Sequence, residues 1–287
     1  MELMFAGLAL GGLYALLAMG LTLQYGVARI LNLAYGIFVI AAAFGAYVAK
    51  VQLGISPIVA LLFSLPLGFG LGWALYSLLL LPLVRRTRAG PQLDIDSLLA
   101  TFGLMFVIEG ALLWIFGGNF YSYSYLSHPV YIAGTPVEAN RLVVILVALA
   151  LTLLLHVGMN RTRLGLAVRA VEVDPATAVL AGIDARTISA LVFGVGGAVV
   201  AVSGVIISMF LPFSVSMATE FLMKALLVVV MGGLGSISGC LLAGMTLGFG
   251  ETIVARFIDP GLTLAVNFGL FIVVLSVRPA GIFGRTV

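Results

Sequence analysis

The sequence predicts an all-α fold: a polytopic integral membrane helical bundle of about eight or nine transmembrane helices, some of them short or broken. Three observations predict it. Of 287 residues, 62% are hydrophobic and only 9% charged, and the mean hydropathy is +1.24, whereas soluble domains run at about 25% charged and 45–50% apolar. Apolar stretches of membrane-spanning length recur along the whole chain. Glycine is abundant, at 35 residues, well above the usual ~7%, as tightly packed membrane helices require. A soluble chain of this composition would lack the polar surface to cover its core, so the hydrocarbon of a bilayer is the solvent that fits.

Crossing about 30 Å of hydrocarbon takes about 20 apolar residues. The candidate spans are 3–23, 30–49, 57–84, 97–116, 142–158, 188–211, 221–231, 239–256 and 262–277. Helices are the only option at these lengths, because barrel strands are about ten residues long and alternate polar with apolar. The first stretch reads as a mature helix and not a signal peptide: Glu2 stands where a basic region is expected, and no small-x-small cleavage pattern follows. Stretch 221–231 reaches only about 16 Å, so it is either a half-helix or continues into 211–219. We treat residues 1–287 as a single transmembrane domain.

The connecting segments sort by charge. Arg85, Arg86 and Arg88 share one loop, Arg161, Arg163, Arg169 and Arg186 the segment two spans later, and Arg278 and Arg285 the tail. Even numbers of crossings separate these groups, so all lie on one side. The positive-inside rule makes that side cytoplasmic, and with it the C-terminus. The same count puts the N-terminus outside if both early helices cross. The net charge of +3 is therefore an orientation signal; no basic stripe interleaves with aromatics, so no nucleic acid partner is expected. The opposite face carries loop 117–141 with Tyr121, Tyr123, Tyr125 and Tyr131, either an interfacial aromatic belt or a docking surface for an external partner. Gly7/Gly11, Gly68/Gly72, Gly235/Gly239 and Gly244/Gly248 are GxxxG pairs, which let helix backbones approach closely.

Catalytic patterns are missing. Neither Lys50 nor Lys224 follows a GxxxxG, so ATP is not bound through a P-loop. Gly194, Gly196 and Gly197 lie inside an apolar helix without the preceding strand of a dinucleotide turn, and packing explains them. His128 and His156 are isolated, no metal site is indicated, and the single Cys240 forms no internal disulfide. Glu220 and Lys224 are spaced i,i+4 in the favourable order, and the Glu251, Arg256, Asp259 group reads as interfacial pairing. Ionisable or polar residues inside spans are candidates for a solute path. Thr22, Gln24 and Asn32 cluster where the first two helices meet, Glu109 lies well inside its span, where it either lines a polar path or pairs with a neighbour, and Asn267 sits in the last.

Segment 160–186 is too charged to enter the bilayer and too long for a simple turn. Within it Asp174 is a good N-cap, Pro175 fits the first helical position, and Gly182 fits the position just past the end. The enclosed helix, 175–181, is two turns, about 10 Å. Its Val179 and Leu180 have no core of their own to enter, so this short helix asks for a partner groove. The alternative is a helix lying flat on the lipid surface, against which the lack of lysines on its polar face argues mildly.

Here the sequence resembles the LIV-type permeases, the transmembrane subunits of ATP-binding-cassette importers for branched-chain amino acids, and within them the smaller, LivH-like kind. The resemblance rests on Tyr14-Ala-Leu-Leu-Ala-Met-Gly20, Tyr25-Gly26 and Asn32-Leu-Ala-Tyr-Gly36. It continues through Gly165-Leu-Ala-Val-Arg169-Ala, Asp174, Leu180-Ala-Gly182-Ile-Asp184, Met223-Lys224-Ala225 and Gly232-Gly-Leu-Gly-Ser-Ile237 to Arg278-Pro-Ala-Gly281-Ile-Phe-Gly284. These matches run in family order over roughly half the chain. The chain departs from the family where Leu33 and Tyr35 replace Phe and His, where Ser238 replaces Pro, and where Arg29 replaces a residue that is commonly small.

The resemblance implies a permease subunit in a bacterial cytoplasmic membrane, working with a second LIV-type permease, two ABC ATPase subunits and an external substrate-binding protein. ATP and Mg would be bound by those partners, with no cofactor in this chain and no enzymatic activity of its own. Segment 160–186 would be the coupling region. Arg169, Glu172 and Asp174 are expected to contact the ATPase, with Val179 and Leu180 as the apolar plug on the helix bounded by Pro175 and Gly182. The substrate path is expected along Thr22, Gln24, Asn32 and Tyr35, with Thr101, Glu109 and Asn267. Solutes of such relatives include branched-chain or other amino acids, amides, urea and small aromatic acids. The rival readings are an ion-coupled secondary transporter or channel, and a membrane enzyme.

Overall fold

The computed structural model describes residues 2–87, 91–132 and 134–284; Arg88 and Arg285 lie outside the described residues. The chain forms a helical bundle. Helix α1 covers Glu2–Ala28, α2 Tyr35–Val51 and α3 Pro57–Ala74. Helix α3 runs through a π-helical turn, Leu75–Leu80, into α4, Leu81–Arg86, and α5 follows at Pro91–Phe116. A hairpin, β1 Pro129–Ile132 and β2 Thr135–Glu138, pairs antiparallel with Val130 opposite Val137. Then come α6 Ala139–Arg161, α7 Arg163–Val173, α8 Pro175–Leu180, α9 Ala185–Phe210, α10 Ala218–Gly232, α11 Ile237–Phe257 and α12 Thr263–Val277.

Every expected span is a helix, and eight of them are long and apolar enough to cross a membrane. The stretch expected to be a half-helix is extended at its start by a 3₁₀ turn, Val215–Met217, so the apolar helix runs Val215–Gly232. Stretch 30–49 is corrected in the other direction. Helix α2 begins only at Tyr35, and residues 29–32 have no regular structure. The π turn has a local cause: Pro82 has no N–H to give the ladder, and the register shift puts the Leu81 N–H on Tyr76 O.

Helices α1 and α9 form the buried pillars, whereas α5 and α12 have few buried residues. Exposed side chains such as Leu62, Phe63, Leu99, Trp114 and Leu153 are what a bilayer covers. Backbone contact holds the pillars. A Cβ on Gly197 would lie 2.3 Å from Gly68 O, and one on Gly248 would lie 2.2 Å from Gly11 N. These helices can meet so closely only because the contact positions carry no side chain. The Gly235/Gly239 pair is different. Gly235 lies in the α10–α11 turn with φ +83°, so this pair serves a turn and not a helix crossing.

Candidate functional site

The chain doubles back after α1. Tyr35, the first residue of α2, donates its hydroxyl to Leu17 O at 2.6 Å, part-way back along α1. The returning stretch therefore lies inside the bundle, with Ile30, Asn32 and Ala34 buried. Non-helical backbone at membrane depth survives only where protein buries it or a cavity receives it, and here both hold. Asn32 Oδ1 accepts from Ala34 N at 3.1 Å, closing a local turn, and Asn32 Nδ2 donates to Gln24 Oε1 at 3.4 Å. Thr101 of α5 takes the Leu33 N–H at 3.3 Å and donates to Ser97 O at 2.9 Å.

This polar knot forms one end of a cavity of about 420 Å³ between α2, α3 and α9. Gln24, Asn32 and Tyr35 line it, and the rest of its wall is apolar or small, including Phe38, Ala42, Leu67, Gly197 and Val200. Pockets of ~300–1,000 Å³ with a few convergent polar groups are the usual form of small-molecule sites. A solute with a compact polar head and an aliphatic tail matches this division.

The other expected path residues are placed elsewhere. Thr22 is buried and accepts the Gly235 N–H at 3.1 Å. Thr101 supports the cavity's polar end from behind. Glu109 is half-buried on α5 and lines neither this cavity nor the other described ones. Asn267 is buried beside Glu251, donating to its Oε2 at 3.3 Å.

That last contact belongs to an ion network that the sequence reading divided in two. Lys224 Nζ donates to Tyr14 Oη at 2.8 Å and to Glu251 Oε1 at 3.1 Å, and it pairs with Glu220 at 2.8 Å. The Tyr14 hydroxyl donates to Glu251 Oε2 at 2.8 Å. Glu251 thus pairs across helices with Lys224 and not with Arg256 or Asp259. Lys224, Tyr14, Glu251 and Asn267 each find a partner on another helix, and Glu220 pairs with Lys224 within α10, which is how charge is tolerated at this depth.

In segment 160–186 the local rules act as expected. Thr162 caps α7 by accepting the Gly165 N–H at 3.0 Å. Asp174 caps α8, its Oδ1 accepting from Ala176 N at 2.9 Å and Thr177 N at 3.3 Å, and the Thr177 hydroxyl bonds its other oxygen. These bonds hold the Asp174 carboxyl below its usual pKa, the Thr177 hydroxyl most of all. Asp184 is held down likewise, first by Thr187. Past the end of α8, Gly182 has φ +80°. Its N–H reaches Val179 O at 3.0 Å and Ile183 N–H reaches Ala178 O at 3.0 Å, a Schellman closure. Ala178 faces inward, and Val179 and Leu180 are 57% and 88% exposed.

The three expected polar contacts of this segment differ in placement. Arg169 is exposed, with Nε near Gly165 O at 3.4 Å. Asp174 spends its carboxylate on the cap. Glu172 turns inward: its Oε1 lies 2.3 Å from where a Cβ on Gly235 would be and 3.2 Å from one on Gly26.

At the opposite end Tyr121 and Phe213 form a backbone bridge. Tyr121 packs edge-on against Phe44 and Tyr47, and Phe44 stacks on Phe116. Tyr123 bonds Ser208 at 2.8 Å, and burial raises its pKa. Of the loop tyrosines only Tyr131, 73% exposed, stands well out.

Comparison with known proteins accords with this architecture. The chain is 29% identical to the high-affinity branched-chain amino acid transport system permease protein LivH of Escherichia coli K12, covering 99% of this chain and 96% of the relative. It is 29% identical to BraD of Pseudomonas aeruginosa, over 97% and 94%, and 26% identical to a probable LivH of Methanocaldococcus jannaschii, over 95% and 89%. Its fold is similar to a chain of PsaBC from Streptococcus pneumoniae solved in complex with Fab, with a TM-score of 0.53, 11% identity and coverage of 98% and 92%. Residues 3–275 match the family described as branched-chain amino acid transport system, permease component, and the chain belongs to that family.

Proposed function

We propose that this chain is the membrane-spanning subunit of an ATP-driven importer for small amphipathic solutes, with aliphatic amino acids the best fit. The observation that carries the reading is α8, a helix of six residues capped at both ends that holds Leu180 88% exposed. A helix this short is unstable alone, and an apolar tip fixed in water is the form of a plug for a partner's groove. Two ATPase subunits would supply that groove and hold ATP and Mg. A second permease of the same kind and an external binding protein complete the assembly. The distribution of arginines supports a cytoplasmic position for α8 and the C-terminus in the cytoplasmic membrane. ATP binding in the partners would then pull on α7–α8, and alternating access would open the Gln24–Asn32 cavity to either side in turn.

The experiment is reconstitution of the assembled subunits in liposomes with labelled leucine. Leu180→Asp should abolish ATP-dependent uptake while the chain still inserts. Unchanged uptake by that variant refutes the seat at α8. The buried Lys224–Glu251 pair favours a second reading, an ion-coupled carrier, and gradient-driven uptake by the isolated chain would establish that reading instead.

A further inference from the structure

We propose that Arg29 is the positioning residue that ties the α7–α8 end to the polar end of the cavity, an inference that rests on the importer reading above. Helix α1 ends at Ala28, yet the Arg29 N–H still bonds Tyr25 O at 2.9 Å. The chain then turns through a left-handed conformation, φ +54°. Just past a helix end this conformation is ordinarily glycine's, because a Cβ disfavours it. An arginine kept there needs a use for its side chain, and the contacts supply one. Nη2 donates to Glu172 O at 3.3 Å. That carbonyl lies in the last turn of α7, where carbonyls lack helical partners and the helix dipole favours a cation.

The same residue holds the other side by its backbone. Asn32 follows three residues later, and its carboxamide joins Gln24 at the cavity. Three residues reach at most about 11 Å when extended, so the Arg29 backbone lies within that distance of the polar knot. The Glu172 carboxylate, seated against Gly26 and Gly235, keeps α7 on α1 at this point. A shift of α7–α8 therefore pulls on the turn that sets Asn32, and a shift of Asn32 is felt at α7.

The test uses the assembled transporter in liposomes, reading leucine taken up per ATP hydrolysed. Arg29→Asn tolerates the left-handed backbone and removes the guanidinium, whereas Arg29→Lys keeps a charged donor. Arg29→Asn should lower uptake per ATP about fivefold or more while hydrolysis persists, and Arg29→Lys should recover part of the loss. An unchanged ratio in Arg29→Asn overturns the assignment. So does a parallel fall of uptake and hydrolysis, which would mark a role in assembly only. Absence of ATP-driven uptake by the parent assembly overturns the importer reading and this inference with it, and it is told apart because no substitution is involved.

Discussion

Replacing Gly197 by alanine tests whether the α3–α9 contact sets the wall of the cavity. The added methyl would lie 2.3 Å from Gly68 O, 2.9 Å from Gly72 Cα and 3.1 Å from Gly72 N. All three are backbone atoms, so no side chain can swing away. Ordinary contact begins at 3.4 Å, which means the two helices must part by about 1 Å along a close-packed seam. Overpacking of this kind costs about 1–3 kcal/mol. Alanine also gains about 1 kcal/mol over glycine in helix propensity, so the comparison needs a matched control. Gly70 supplies it, being on α3 with nothing within 4 Å of its would-be Cβ. The propensity gain is common to both variants, and their difference isolates the clash. In thermal unfolding of the detergent-purified chain, Gly197→Ala should melt roughly 2–10 °C below Gly70→Ala. It should also lose leucine uptake, because Gly197 and Gly68 both line the cavity. Equal melting of the two variants would refute the close contact and the wall built on it.

Lys224→Met should destabilise the bundle by more than the about 0.6–2 kcal/mol of interhelical polar contacts in membranes, because the part-buried Glu251 carboxylate loses its cation. Adding Glu251→Gln should restore part of the loss, which a double-mutant cycle of melting temperatures would read. For α8 the titration of Asp174 is the control. Its folded pKa lies below the unfolded value, so the cap's contribution is present above about pH 4 and is lost as pH falls through the folded pKa. Amide exchange at Ala176 and Thr177 should then keep constant protection factors between pH 5 and 8, and a protection step near neutrality would contradict the cap.

The spans and α8 are legible in the sequence because their causes are local. Hydropathy over one helix length marks a span, and Asp174, Pro175 and Gly182 lie within nine positions of one another. What escapes is set by tertiary partners. Residues 30–34 are apolar enough to continue a helix, and nothing local announces that Thr101 will take the Leu33 N–H. Lys224 has Glu220 as an i,i+4 neighbour, which hides its reach to Glu251, 27 positions away. Glu172 looks like any charge on a connecting segment until the turn at Gly235 is folded against it. The cavity's polar end was legible in part: Gln24, Asn32 and Tyr35 meet there, but Thr22, Glu109 and Asn267 do not, because polarity within a span does not say which wall the side chain faces.

The motifs that carry the family resemblance are far apart in sequence and meet at one end of the bundle for a stated reason. Helix α10 ends in carbonyls without helical partners, and the tail supplies donors: Ile282 N reaches Met231 O at 2.8 Å and Phe283 N reaches Gly232 O at 3.1 Å. That approach requires glycine at 233 and 281, since a Cβ on Gly281 would lie 2.6 Å from Gly233 N. The next turn needs Gly235 to admit Glu172 from α7, and its N–H goes to Thr22 of α1. Four segments thus meet here, the tail and α10 through their backbones and α7 and α1 through the Glu172 and Thr22 side chains. Under the proposed importer mechanism, a push on α8 would reach the end of α1 through this junction, and the non-helical stretch that follows α1 is where the bundle would yield.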